Sequence, residues 1–388
     1  MKFTSTEATP APHVPPGVLR LTGAAKEDIP MYRIQTMNKI SPVGLNRFPS
    51  ELYEVGDAVQ DPQGILVRSA KLLDLEFNPG LLAIARAGVG VNNIPLDRCA
   101  AAGIPVFSTP GANANAVKEL VICAMLMGSR DIPGAIRWVR EQAASGVDVS
   151  TVVEKGKSAF IGPELYKKTL GIIGLGAIGS IVANTAISLG MDVYGYDPFL
   201  SVDTALRLDR HVHVVKDIND LYKRSDYITM HIHYTEKTAH MIDADAIAAM
   251  KRGVRVINLA RGEIVDDEAM LTALDTGMVA AYITDFPNNR LLTAPHVIAM
   301  PHLGASTPES EQNCAAMAVD TLRDYLESGN IRSSVNLPEM TMDRSGVQRL
   351  CVLHKNVPGM LANITSLFGR DGVNVENLSN KSRGDYAY

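Results

Sequence analysis

The stretch from Thr169 to Asp197 limits the possible folds of this chain more than any other. It begins Thr169-Leu-Gly-Ile-Ile-Gly174-Leu-Gly176-Ala-Ile-Gly179-Ser and runs on to Tyr194-Gly-Tyr196-Asp197. An apolar run ends in three glycines spaced G-x-G-x-x-G. An amphipathic stretch follows, and a second apolar run closes on a lone acid. That is the order strand, tight turn, helix, strand. The first glycine permits the sharp turn, the second lets backbone N–H groups approach a pyrophosphate, and the third lets the helix pack on the sheet. The pyrophosphate is expected at the positive end of the helix that begins at Ala177-Ile178. Asp197 is placed to accept from the ribose hydroxyls of an adenosine, and its charge opposes a 2′-phosphate, so the expected cofactor is NAD rather than NADP. The competing reading of Asp197 is a turn former before Pro198.

At 388 residues the chain can hold two or three domains with substantial cores. A formal net charge of −5 leaves no electrostatic footprint for nucleic acid, and no apolar run is long enough to span a bilayer. Cys99, Cys123, Cys314 and Cys351 are scattered without a C-x-x-C pair, so they read as buried thiols of a cytoplasmic protein rather than a disulfide frame or zinc site. His211/His213 and His231/His233 alternate as strand ligands could, but further ligands at useful spacing are absent and no metal is expected.

Residues 1–30 are rich in Pro, Ala and Thr and lack periodicity, which predicts a disordered N-terminal tail. From Met31, β-rich runs at Tyr32 to Met37, Gly64 to Val67, Leu82 to Ala85 and Pro105 to Phe107 alternate with helical ones, predicting a small doubly wound domain. Arg68-Ser69 follows the second run, and Arg86-Ala-Gly-Val-Gly-Val-Asn92-Asn93 follows the third. Ligands of open α/β sheets bind beyond the carboxyl ends of the strands, so both arginines are expected to face one cleft, where two guanidiniums suit an anionic ligand. The plainer reading is two surface ion pairs. Ala116 to Arg130 predicts a long, largely buried helix with Asn115 as its cap. The charged segment from Glu141 to Lys157 carries no readable pattern.

Beyond the glycine turn the doubly wound pattern continues. Apolar runs Tyr227 to His231, Val254 to Leu259, Tyr282 to Thr284 and Val297 to Met300 each end in polar residues. These ends, His231 and His233, Ala260-Arg261-Gly262, Asp285, and Pro301-His302-Leu-Gly304, are expected on the same sheet edge as Gly174 and Asp197. Thr307-Pro308-Glu309 opens a helix that runs to about Ser328. After Leu337-Pro338, a shorter unit reads as strand (Leu350 to Leu353), helix (Met360 to Phe368), strand (Val373 to Leu378), and the start of another strand at Tyr386-Ala-Tyr388.

Hydride transfer between a nicotinamide and a 2-hydroxy acid needs a cation to anchor the carboxylate and a group titrating near neutrality to move the alcohol proton. Arg261, with its planar fork, fits the first role and His302 the second. His296 has a similar local context but precedes the Val297 strand, which puts it at the opposite edge; the bland reading of His302 is a structural histidine bonded to backbone.

With these residues in view, the chain resembles the D-isomer-specific 2-hydroxyacid dehydrogenases, and within them the phosphoglycerate-oxidising members that end in an ACT regulatory domain. The resemblance spans roughly residues 31–388. It rests on Ile65-Leu-Val-Arg68-Ser69-Ala, Arg86-Ala-Gly-Val-Gly-Val-Asn92-Asn, the glycine turn with Asp197, Asn258-Leu-Ala-Arg261-Gly, Pro301-His302-Leu-Gly-Ala-Ser-Thr307 and His354-Lys-Asn356-Val-Pro-Gly359. It implies an α/β fold of two doubly wound parallel-sheet domains plus a partial α+β ACT unit. The implied layout is a substrate domain over 31–108 and 303–338, a Rossmann NAD domain over 109–302, and the ACT unit over 347–388. It implies oxidation of D-3-phosphoglycerate, with Arg261 on the substrate carboxylate, His302 as acid/base, and Arg68, Ser69, Arg86 and Asn92 as substrate contacts. Gly174, Gly176, Ala177, Ile178, Gly179, Asp197, His233, Ala260, Asp285 and Gly304 would line the NAD site. A phosphorylated three-carbon acid has two anionic ends, which matches the extra arginines. His354, Asn356 and Asn374 match positions that bind an L-serine effector, although the module stops short of its second half and inhibition is not expected to survive. At least a homodimer is implied, built on the dinucleotide domains, with a homotetramer the other option.

Two departures stand out. Where most of the family places a Glu that pairs with the catalytic His, this chain has Asn289, which implies a pH–activity profile displaced to lower pH. Where the family commonly has Pro, this chain has His233. The alternatives are another D-2-hydroxyacid dehydrogenase of the glyoxylate/hydroxypyruvate type, or a non-enzymatic NAD-sensing scaffold.

Overall fold

The computed structural model describes residues 18–22, 31–343 and 348–388. Most of the expected N-terminal tail lies outside the described residues. Val18–Thr22, however, is a strand, paired antiparallel with Gln348–Val352. The expectation of a structureless tail is corrected there: five β-rich residues between Pro- and Ala-rich flanks form a strand once another strand is available to pair with. Contacts divide the chain into two units, Met1–Ala112 with Glu311–Tyr388, and Asn113–Ser310.

The first unit carries a parallel five-stranded sheet in the spatial order Tyr53–Gly56, Tyr32–Met37, Gly64–Val67, Ala83–Arg86, Val106–Phe107. In chain order this is 2-1-3-4-5, a doubly wound arrangement. Gly64–Val67 is buried throughout, as a central parallel strand covered on both faces must be. One face packs Ile34, Leu66 and Phe107 against Val319, Leu322 and Tyr325 of the helix Pro308–Ser328; the other gathers Ile65, Val67, Ile84 and Cys99.

The second unit holds a seven-stranded sheet, parallel throughout, in the order Val297–Ala299, Val279–Thr284, Val254–Asn258, Tyr227–Met230, Thr169–Ile173, Asp192–Tyr196, Val212–Val215. Numbered along the chain, this is 3-2-1-4-5-6 with a seventh strand added, the dinucleotide-binding order. Successive residues point to opposite faces: Ile172, Tyr227, Ile257 and Ile283 enter one core, and Ile173, Ile228, Val256 and Tyr282 the other. The long helix is Ala114–Arg130, and Asn113, not Asn115, stands at its N-cap position. Asn115 instead bonds sideways to Lys118 and Glu119 along the helix surface. Asp131, in the left-handed region at φ 43°, ends this helix and caps the next, Ile132–Ala144, by accepting from the Gly134 N–H. The unreadable segment from Glu141 to Lys157 holds the end of the helix Ile132–Ala144 and the whole of Val149–Gly156, neither helix with a buried residue, and Trp138 packs on Phe160.

The C-terminal segment begins with Gln348–Val352 and continues with His354–Lys355, the helix Met360–Arg370 and a short hairpin, Ser382–Arg383 with Tyr386–Ala387. The strand expected at Val373 to Leu378 does not form. Those residues are exposed and pair with no strand, and a β-rich run without a partner has no ladder to stabilise it. The segment is anchored to the first unit by Tyr388, whose hydroxyl donates to the Gly329 carbonyl at 2.6 Å, and by the Arg349 guanidinium, which donates to the Met342 and Asp343 carbonyls. Of the four cysteines, Cys123 is exposed rather than buried.

Candidate active site

In the second unit, the glycine turn follows from steric necessity. Gly174 has φ 91°, and a Cβ there would lie 2.6 Å from the His231 carbonyl oxygen. A Cβ on Gly179 would lie 1.9 Å from the Gly174 carbonyl, so the helix can approach the strand only without a side chain. A Cβ on Gly176 would meet nothing, and Gly176 and Ala177 are exposed at the start of the helix Ala177–Ser188. The open face is therefore the one where free N–H groups and the positive helix end await an anion. The Asp197 carboxylate accepts from Leu175 N–H (2.9 Å) and Phe199 N–H (2.9 Å). It thus ties the glycine turn to the end of the second strand and forms a turn across Pro198, as the turn-former reading expected.

Three strand ends farther along the sheet carry the reactive groups. After Val254–Asn258, the buried Asn258 side chain donates to the Arg261 carbonyl (2.8 Å) and accepts from Ala260 N–H (3.1 Å), which fixes the loop that presents Arg261. The Arg261 guanidinium donates to the Ala260 carbonyl (2.6 Å) and lies 5.8 Å from the Phe286 ring centroid. His302, just past Val297–Ala299, packs its ring on the other partner of that contact, with Phe286 and His302 centroids 4.7 Å apart. Phe286 thus touches both polar candidates. His296 precedes the same strand, and its carbonyl accepts from Tyr282 N–H, at the far end from His302.

Asp285 lies at the centre of this group. It is 1% exposed; its Oδ2 accepts weakly from Gly304 N–H at 3.4 Å, and its Oδ1 has no partner among the described residues. Burial raises its carboxyl above the ordinary range, and the nearby His302 and Arg261 charges pull it back. An orphaned buried acceptor beside an exposed imidazole suits the carboxamide N–H of a nicotinamide. Because the folded protein holds this proton more tightly than the unfolded chain does, the stability linked to Asp285 is full below the unfolded carboxylate range and is lost as pH rises through the folded value. Asp285→Asn is therefore expected to melt about 2–4 °C higher than the parent at pH 7, with the difference closing by about pH 4. Thermal melts across that range check it; a lower melting point at pH 7 would contradict it.

No hydrogen bond reaches the His302 ring among the described residues, and Asn289, at the position of the family's Glu, is exposed. Arg290 beside it pairs with Glu268, and Asn288 donates to Asp267. His233 is exposed; its carbonyl accepts from the Thr238 hydroxyl.

In the first unit, Arg68 and Ser69 follow the strand Gly64–Val67, Arg86 ends the strand Ala83–Arg86, and Asn92 lies in the segment after it. The Arg68 carbonyl accepts from Arg86 Nε (3.0 Å), and the Asn38 side chain accepts from the Ser69 and Ala70 N–H groups. Of the effector candidates, the His354 ring bonds to the Lys355 carbonyl and the Asn380 side chain, and Asn356 donates to the Gly384 carbonyl. Asn374 is exposed on the stretch that forms no strand. Sequence reasoning named neither Phe286 nor Asn258 as a site residue. Phe286 carries no reactive group, and the only signal for Asn258 was its place two residues before Ala260.

Residues 122–304 match the model of the D-isomer specific 2-hydroxyacid dehydrogenase, NAD binding domain. The chain is 33% identical over 337 residues to the D-3-phosphoglycerate dehydrogenase of Haemophilus influenzae, covering 83% of this chain and 78% of that protein. To the D-3-phosphoglycerate dehydrogenase of Synechocystis it is 36% identical over 326 residues, 82% of this chain but only 56% of that protein. The NAD⁺-bound 3-phosphoglycerate dehydrogenase of Entamoeba histolytica superposes with a TM-score of 0.61 at 26% identity, covering 79% of this chain and 99% of that one.

Proposed function

The chain belongs to the D-isomer-specific 2-hydroxyacid dehydrogenases, and from that premise we propose that it catalyses the NAD-dependent oxidation of D-3-phosphoglycerate to 3-phosphohydroxypyruvate, the first step of serine biosynthesis. The observation that carries the reading is the Arg261–Phe286–His302 group beside the buried, half-satisfied Asp285. Gly174, Gly176, Ala177, Ile178, Gly179, Asp197, His233, Ala260, Asp285 and Gly304 would hold NAD, which would supply the hydride acceptor when bound. Arg261 clamps the substrate carboxylate with two parallel N–H donors and so orients the carbon that gives up its hydride. His302 takes the hydroxyl proton during oxidation and returns it during reduction, a role open to an imidazole, whose ring nitrogen can accept and donate a proton. Phe286, in contact with both, holds the anchor and the base in register.

Arg68 and Arg86, with Ser69 and Asn92, receive the phosphorylated end. We expect kcat/KM for 3-phosphohydroxypyruvate to exceed that for hydroxypyruvate by about 10²-fold or more, and Arg68→Gln or Arg86→Gln to remove most of that ratio. NADH oxidation followed at steady state checks it; a ratio near one would favour an unphosphorylated acid as substrate. The bonds of the His354 ring to the Lys355 carbonyl and Asn380, and of Asn356 to the Gly384 carbonyl of the hairpin, favour a structural role for that segment over an L-serine site. The helices Ile132–Ala144 and Val149–Gly156, which bury no residue and expose Ile136, Val139 and Val153, are where a second copy would dock to form the homodimer or homotetramer. Free thiols throughout suit a reducing, cytoplasmic setting.

A further inference from the structure

Arg68 is not waiting for an anion. Its main chain is pinned on three sides: Arg86 Nε donates to its carbonyl at 3.0 Å, Asn38 accepts from Ser69 and Ala70 N–H at 3.1 and 2.6 Å, and Asn93 donates to the Ala70 carbonyl at 2.7 Å. Its guanidinium already has a counter-charge, because Nη2 donates to Glu311 Oε1 at 2.5 Å. Glu311 lies in the first turn of the helix Pro308–Ser328, which Thr307 caps by accepting from Ser310 N–H. A carboxylate there is also favoured by the positive helix end. Both side chains of the pair are 44% exposed, so water reaches it and a competing anion can too.

We propose that Glu311 is a specificity-determining residue that sets how tightly Arg68 holds the anionic end of the substrate. The inference rests on the assignment of Arg68 to the phosphorylated end. Three physical points lead to it. A half-exposed ion pair is weak enough to be exchanged by an incoming phosphate. Every phosphate that arrives must nevertheless displace or share Nη2 with a carboxylate of its own sign, so part of the attraction is cancelled in advance. The phosphate is chemically unchanged by the reaction, so whatever Arg68 gives the substrate it gives the product as well. Glu311 lowers both equally and so favours product release. Its repulsion grows with ligand charge, and a dianionic phosphate feels it about twice as strongly as a monoanion.

Glu311→Gln keeps an oxygen that can accept from Nη2 but removes the charge, whereas Glu311→Ala removes both. Binding of D-3-phosphoglycerate in the presence of NADH, titrated by calorimetry at low salt, is expected to tighten about 3- to 10-fold in Glu311→Gln, with D-glycerate changing less. The gain is expected to shrink in 0.5 M KCl and to vanish when Glu311→Gln is made in an Arg68→Gln background. Glu311→Ala separates the charge from the positioning: tightening there too fits the proposal. Weaker binding in Glu311→Gln overturns it and makes Glu311 a support for Arg68. Equal gains for both ligands, a gain that survives without Arg68, or no measurable binding by parent and variant alike also overturn it. The titration needs no turnover, so absence of catalysis in the parent protein would count against the proposed reaction and leave this result standing by itself.

Discussion

His302→Asn is expected to lower kcat by about 10²–10⁴-fold in both directions while leaving NADH affinity within about twofold of the parent. The asymmetry follows from placement. His302 stands past the end of Val297–Ala299, exposed, with its ring against Phe286 and no hydrogen bond from the described residues. Nothing structural leans on its ring nitrogens, so removing them deletes a proton carrier and little else. Asn retains polarity and approximate size but cannot titrate. Stopped-flow oxidation of NADH with fluorescence titration of NADH binding separates the two quantities; a kcat loss below about tenfold would return His302 to a structural role.

The second large effect belongs to Arg261. Arg261→Gln is expected to reduce kcat/KM by about 10²–10³-fold, with NADH binding preserved, because the variant keeps a hydrogen-bond donor but loses the charge and the paired N–H fork. Arg261→Lys is expected to recover little of this, since an ammonium offers a point charge where the carboxylate needs a planar clamp. The loop that presents Arg261 is held by the fully buried Asn258, which bonds to Ala260 N–H and the Arg261 carbonyl, and the one bond from the Arg261 guanidinium to the Ala260 carbonyl is one that a Gln donor can replace. The variant therefore tests the anchor and not the fold. Full recovery by Lys would mean that the carboxylate is bound elsewhere.

Much of this arrangement was legible in the chain because it obeys short-range rules. The glycine turn could be read since Gly174 and Gly179 are fixed by contacts no other residue survives. Tyr227–Met230 and Val279–Thr284 could be read since, buried almost throughout, they are nearly continuous apolar runs, whereas Val212–Val215, partly exposed at the sheet edge, went unread. What escaped was decided by partners distant in sequence. Tyr53–Gly56 is short and half polar, and it is a strand only because Tyr32–Met37 lies beside it. Val18–Thr22 went unread among prolines for the same reason. Val373 to Leu378 failed in the opposite sense, having β-rich residues and no strand paired with it among the described residues. At the site, Arg261, His302 and Asp285 declared themselves by chemistry. Phe286, which touches two of them, did so only through contacts. The pairing of Arg68 with Glu311 joins residues 243 positions apart and leaves no trace in either local sequence.

The most direct test is the fate of the hydride. The protein would be mixed with NADH deuterated at C4 of the nicotinamide and with 3-phosphohydroxypyruvate, and the product examined by NMR. The account predicts D-3-phosphoglycerate carrying deuterium at C2, formed by the parent and lost in His302→Asn. Bound NADH with no deuterated phosphoglycerate from the parent would contradict it.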